Sequence, residues 1–219
     1  MAKQDRAVRT RQELIRSAAE AFSRGGFALS SLTDISARAG VSSGALHFHF
    51  ASKRALGEAV ETAAAQTLRR IIAQSPLGHP VPLQTLVDTS HVLAQRLVDD
   101  VVLRAGFGLG SDATWREGVE LWGEWHSWVR SVLTLARRRG NLATDVVLDD
   151  VVSAVTAAVV GFEVLGRADA EWCSRRSLTR FWALMLPRLS SDRLRTELDP
   201  EGTGAGMWPE EAAVVPEAG

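Results

Sequence analysis

The sequence predicts an all-α protein, and three observations carry that prediction. Apolar residues recur every three or four positions along almost the whole chain of 219 residues, the spacing that gathers them on one face of a helix. No segment alternates apolar and polar residues for long enough to argue for a sheet. Glycine and proline cluster between the periodic stretches, where they stop helices and turn the chain.

The elements follow in order. A first helix is expected over about 8–24, with Leu14, Ile15, Ala18, Ala19 and Phe22 on one face and Gly25-Gly26 ending it. Ser31-Leu32-Thr33-Asp34 then reads as a capping box, a hydroxyl and an acid three residues apart that suit the free amides of a helix start. It opens a short helix that ends at Gly40. Val41-Ser42 leads into a third short helix carrying Ala45, Leu46, Phe48 and Phe50. Leu32, Ile35, Ala39, Val41, Leu46, Phe48 and Phe50 are read as a small core closing on Phe22. Ser52 caps a fourth helix, from Lys53 through Leu56, Val60, Leu68 and Ile71 to about Ser75, which links this head to a larger body. Pro76, Gly78, Pro80 and Pro82 mark a loop. Body helices are expected at about 83–103, 115–139, 148–166 and 175–189, separated by the glycines of 106–110, by Gly140-Asn141 and by 168–171. The division is 1–52, 53–198 and a disordered tail over 199–219, rich in Gly, Pro, Glu and Ala.

Composition excludes several classes. Hydrophobic residues make up 46% and charged residues 23% of the chain, ordinary for a soluble globular protein. No apolar run reaches the length of a spanning helix and no hydrophobic segment follows the N-terminus, so a cytoplasmic protein is expected. A lone cysteine, Cys173, fits a reducing compartment. The net charge of −1 hides an asymmetry: residues 1–54 carry nine Lys/Arg and four acids, a net of +5, leaving −6 for the rest. A basic head on an acidic body suits a polyanion at the head, although a solvated basic surface gives similar counts.

Two short helices joined by a glycine-containing turn form the helix-turn-helix pattern. From Thr10 to Leu56 the chain resembles the TetR family of repressors, in Leu32-Thr33-Asp34-Ile35, Ala39-Gly40-Val41-Ser42, Gly44-Ala45-Leu46 and His47 to Lys53. Within that family, the stretch from Gly44 to Lys53 is most similar to the γ-butyrolactone receptors and their pseudo-receptor relatives. Ser43 and His47 stand where lysine and tyrosine are common, so operator preference is not transferable. The resemblance implies a homodimer with a helix-turn-helix DNA-binding domain and a helical ligand-binding and dimerisation domain. Its partner would be double-stranded DNA with a pseudo-palindromic operator.

Residue chemistry fits that implication. Gly44 and Ala45 let a helix approach base edges closely, and alanine can touch a thymine methyl. Ser31, Thr33, His47 and Lys53 suit phosphates, Lys53 with help from its helix N-terminus. Arg11, Ser42, Ser43 and His49 complete the expected DNA face. Residues two apart on a helix point about 200° apart, so His47 and His49 do not share one metal ion, and no metal site is expected.

In the body, Trp115 precedes Trp122, Trp125 and Trp128, which fan over one side of a helix with Leu121, Val129 and Val132. Core packing and an apolar ligand pocket both account for such a face. The resemblance implies an effector inside this domain, contacted by Trp125 above all, then Trp122, Trp128, Leu121, Val87, His91 and Phe162. His91 and His126 could orient a ligand carbonyl or hydroxyl, although such histidines are more often satisfied or solvated. Helix 148–166 is apolar nearly all round, and 175–189 carries Leu178, Phe181, Trp182, Met185, Leu186 and Leu189. A four-helix contact between subunits and burial within one subunit both fit. No nucleophile elbow, P-loop or zinc-protease motif is present, so neither an enzyme nor a cofactor is expected. The expected function is a repressor released from DNA by a small-molecule effector, a γ-butyrolactone-like signal or an antibiotic, in control of secondary metabolism. The alternative is a DNA-binding regulator with a vestigial pocket.

Overall fold

A computed structural model describes residues 2–75, 80–115 and 120–204. Among these residues the architecture is helical: α1 Ala2–Leu29, α2 Leu32–Arg38, α3 Ser43–His49, α4 Lys53–Gln74, α5 Pro82–Asp99, α6 Val101–Gly110, α7 Leu121–Arg138, α8 Leu148–Gly166 and α9 Arg175–Leu189, with a 3-10 turn at Ala170–Cys173. The one β-type contact described is an isolated bridge between Leu142 and Ser190.

Where the expected helices meet real boundaries, the cause is local. α1 begins earlier than the apolar stripe required, and its break falls at Gly26, whose φ of +74° is the left-handed geometry glycine tolerates. Ser31, Ser42 and Ser52 each accept an amide three residues on, from Asp34, Ala45 and Ala55, and so start α2, α3 and α4. Pro82 supplies the first turn of α5; Pro76 and Gly78 of the expected loop lie outside the described residues.

Two cores share α4. Leu56, Ala59 and Val60 join Leu14, Ile15, Ala18, Ala19, Phe22, Ile35, Leu46 and Phe50 in the head. Further along the same helix, Ala64, Ala65, Leu68 and Ile71 join the body core of α5 and α7–α9. The head core is therefore not confined to residues 1–52, since Ala105, Leu109 and Trp115 also enter it.

Three expectations need correction. The glycines of 106–110 lie inside α6 rather than between helices, because α6 crosses α4 so closely that a Cβ on Gly106 would overlap the Ala64 methyl. Tight packing overrides the poor helix propensity of glycine. Asp100 breaks the expected helix 83–103, capping α6 by accepting the amides of Val102 and Leu103 at 2.9 and 3.0 Å. Trp115 is not on α7; its ring lies on Phe27 at 4.7 Å between centroids and presses on Gly57, where a Cβ would sit 2.6 Å from it. Gly166 meets Cys173 in the same way.

The tail assigned to disorder begins with an ordered strap. Asp199 N–H donates to the Gln84 amide oxygen Oε1 at 2.8 Å, and Thr203 donates from its amide and hydroxyl to Asp88 at 2.9 and 2.8 Å. Gln84, Asp88 and His91 stand at i, i+4 and i+7 on α5 and so present one face to residues 199–204. Residues 205–219 lie outside the described residues.

Candidate nucleic-acid interface and effector site

The α2–α3 unit is held from within by its own backbone and apolar side chains. Gly40, at φ +66°, turns the chain after α2, and Val41 N–H donates back to Ser36 O at 3.0 Å. Leu46 is fully buried and Phe50 nearly so, facing Leu14, Ile15 and Ile35. The opposite side of α3 is left to solvent: Ser43, Gly44 and His47 are exposed, with Ala45 and His49 half-buried at its edges. Phe48, assigned to the core, is 83% exposed. Positions 46 and 50 share a helix face, whereas 48 lies about 200° from both. Phe48 therefore belongs to the outward face of α3, a placement that helix geometry alone was enough to find.

The other expected DNA residues divide into free and engaged groups. Thr33 is exposed at the start of α2, and Arg11 is exposed with its guanidinium 5.1 Å above the Phe50 ring, beside α3. Ser31 and Ser42 use their oxygens as helix caps, which leaves each hydroxyl proton to donate outward. Lys53, expected at a phosphate, is engaged within the head. Its ammonium donates to the carbonyls of Phe27, Ala28 and Ser30 at 2.8, 3.1 and 2.9 Å and lies 4.6 Å from the Phe27 ring centroid. Three donors thus meet three acceptors, so Lys53 clamps the end of α1 to the start of α4. Glu20 draws three cations, Arg16, Arg24 and Arg38, at 3.7, 3.2 and 3.3 Å.

In the body, α7 carries the tryptophan face into the core. Trp125 is fully buried and Trp128 nearly so, their rings 4.9 Å apart; Trp122 is half-buried against Phe107 at 4.3 Å. Val87 and Leu121 belong to the same cluster. Nε1 of Trp122, Trp125 and Trp128 is buried with no acceptor among the described residues. Buried donors of this kind cost roughly 1–3 kcal/mol each and are the groups a guest carbonyl would satisfy.

Two expected ligand residues are placed elsewhere. His91 Nε2 lies 2.9 Å from Pro200 O in the strap. Burial pushes its pKa below the usual histidine value, against the opposing pull of the Pro200 carbonyl and of Asp88 and Asp199, while Arg175 adds to the lowering. Phe162 packs on Phe181 at 5.8 Å, apart from the tryptophans. His126 Nδ1 is 3.4 Å from Thr156 Oγ1.

Trp128 also borders a cleft of about 580 Å³ with Arg69, Ile72, Glu120, Glu124 and Ser127. Arg69 and Glu124 form an ion pair across it, with Arg69 Nε 3.0 Å from Glu124 Oε2. The α4 residues were not legible as site residues, because nothing in the spacing of Arg69 and Ile72 distinguishes them from an ordinary amphipathic helix. Val164, Leu165 and Leu184 stand exposed on α8 and α9, as do Ala154, Ala157 and Ala183.

Known proteins share this arrangement. Residues 14–60 match the bacterial regulatory proteins of the tetR family. The chain is 31% identical over 205 residues to the A-factor receptor protein of Streptomyces griseus, covering 92% of this chain and 71% of that one. A solved gamma-butyrolactone receptor (ArpA-like protein) superposes with a TM-score of 0.79 at 28% identity, over 92% of this chain and 98% of the other. CprB of Streptomyces coelicolor, solved in complex with its biological operator sequence, gives 0.77 at 30% identity over 91% and 96%.

Proposed function

Since the chain belongs to the TetR family of bacterial regulatory proteins, we propose that it is a homodimeric repressor in the cytoplasm, released from operator DNA by a small-molecule effector. The observation that carries this reading is the outward face of α3. Ser43, Gly44, His47 and Phe48 project from a helix that is anchored on its other side by Leu46 and Phe50. Such a helix can enter a major groove without rearranging the head. Gly44 and Ala45 bring the backbone close to base edges, while Phe48 meets thymine methyl groups or sugars through its apolar ring. Arg11, Thr33 and the hydroxyls of Ser31 and Ser42 take phosphates.

The likeness, over 92% of this chain, to an A-factor receptor and to a gamma-butyrolactone receptor supports a butyrolactone-like effector or an antibiotic, and a role in antibiotic biosynthesis. Trp125, Trp128 and Trp122, with Val87 and Leu121, make up the apolar wall, and the free indole N–H groups are donors for a ligand carbonyl. Exposed Val164, Leu165 and Leu184 supply the apolar surface for a two-fold contact of α8 and α9 with a second copy. An effector that prefers the released state lowers operator affinity in proportion to that preference.

Purified protein is expected to retard a fragment of its own promoter region, with affinity falling steeply as salt rises. Failure to bind any fragment from that neighbourhood at moderate salt overturns the reading. Tryptophan fluorescence titrated with γ-butyrolactones and with antibiotics identifies the effector class. A response to neither leaves a DNA-binding regulator with a vestigial pocket.

A further inference from the structure

A cavity of about 270 Å³ lies where the head meets the body. The end of α1 forms its head wall with Phe22, Ser23 and Phe27, and the body contributes Arg104 of α6, Asp112 and Arg167. It shares no lining residue with the cleft at Trp128. One direct bond joins the two walls: Phe27 N–H donates to Asp112 Oδ2 at 2.9 Å.

The chemistry of the lining is selective. The Phe22 and Phe27 rings, 5.5 Å apart and tilted at 55°, make an aromatic wall. Two of the three charged groups are already neutralised or engaged. Arg167 makes a two-pronged pair with the buried Glu163 carboxylate at 2.7 and 2.6 Å. Asp112 accepts from Thr114 Oγ1, Thr114 N and Phe27 N, which holds it ionised despite burial. Arg104 is different. One of its terminal nitrogens donates to Leu97 O and Val98 O at 2.8 and 2.7 Å, and it has no carboxylate partner among the described residues. A half-buried arginine lining the same cavity as two aromatic rings suits a carboxylate on a flat ring. The volume falls just under the roughly 300–1,000 Å³ of ordinary ligand sites, which limits the guest to a small molecule.

We propose that this cavity is a second ligand site, for a small aromatic carboxylate, and that its occupancy fixes the head relative to the body. The ring would pack on Phe22 and Phe27 of the head while the carboxylate pairs with Arg104 of the body, so a single guest ties the two walls together. A ligand that binds one head position better than another must shift DNA affinity by the same factor that DNA shifts its own. Only this coupling rests on the DNA-binding reading.

Calorimetry of the full-length protein with benzoate, and with benzamide as its neutral counterpart, tests the site without DNA. Benzoate is expected to bind and benzamide to bind far more weakly. Ser23→Trp, at an exposed rim position, should abolish benzoate binding. Arg104→Met should weaken it about tenfold, the loss of one charge-assisted contact, and Arg104→Lys should retain most of it; circular dichroism identifies any variant that fails to fold, and the remaining variant then decides. No heat with benzoate, equal binding of benzamide, or wild-type affinity in both Ser23→Trp and Arg104→Met overturns the proposal. Saturating benzoate should then change operator affinity by the factor by which operator DNA changes benzoate affinity, and binding without that change overturns the coupling. Loss of DNA binding altogether would count against the repressor reading and leave the calorimetric result standing.

Discussion

Head and body differ in what their buried polar groups do. In the head, three serine oxygens cap three helices and Lys53 places all its donors on carbonyls at the end of α1. In the body, four indole N–H groups, those of Trp122, Trp125, Trp128 and Trp182, have no acceptor among the described residues, against one in the head core, that of Trp115. The head thus holds a single shape, suited to a partner such as DNA whose groove geometry varies little. The body keeps donors in reserve in an apolar setting, where a guest with an acceptor gains most. Preorganised caps and clamps dominate one region, and most of the unmet hydrogen-bonding capacity lies in the other.

The strongest way to break the contrast is to strike the α4–α6 crossing, which serves both cores. Gly106→Val forces a side chain into the Ala64 methyl and is expected to cost about 3 kcal/mol by overpacking. Urea unfolding followed by circular dichroism should show one earlier transition; two separate transitions would mean that head and body are independent units. Lys53→Met should cost about 2 kcal/mol, since it leaves carbonyls without their charged donor. Its salt dependence of DNA binding should stay unchanged, whereas loss of a phosphate ligand would lower the slope by about one.

Phe48→Ala sharpens the same point at lower amplitude. DNA affinity is expected to fall about tenfold, or 1.4 kcal/mol, with stability within about 0.5 kcal/mol of the parent. A core phenylalanine would instead lose roughly 3–5 kcal/mol of stability.

The smallest effect concerns the strap. His91 is held below the pKa of about 6.5 that it regains when released, so the released state binds the proton more tightly. The strap's stability contribution is therefore complete above about pH 6.5 and declines as pH falls below that value. The protection factor of the Thr203 amide, bonded to Asp88, should fall on acidification once the intrinsic exchange rate is divided out, and His91→Gln should flatten the response.

How much could be read beforehand depended on the range of the interactions involved. The serine caps of α2, α3 and α4 were legible because a cap is made by residues three apart. Phe48 was legible in principle and misassigned, since a run of apolar residues two apart looks like core until helix geometry is applied. Lys53 sits at a helix start, where a phosphate contact is a sound local inference. Its true partners, Phe27 to Ser30, are set by how α1 and α4 meet, which sequence spacing does not record. The helical state of 101–110 was hidden for the same reason: glycines that argue against a helix locally are required by a neighbour some forty residues away. The strap at 199–204 has the composition of a loose tail and is held by side chains of α5, with Arg175 of α9 donating to Glu201 O. Among the site residues, Trp125 and Trp128 come together as the stripe indicated, whereas His91 contacts the strap and Phe162 packs on Phe181.

Gly57 with Trp115, Gly106 with Ala64, and Gly166 with Cys173 are pairs in which neither position is free to grow while the other stays as it is. In evolutionary terms each pair should behave as one character. Among relatives of this chain, a side chain at 106 is expected to accompany glycine at 64, and a side chain at 57 a smaller residue than tryptophan at 115. Such substitutions would travel together through a lineage as compensated steps, and their joint changes would trace the helix crossings that join head to body.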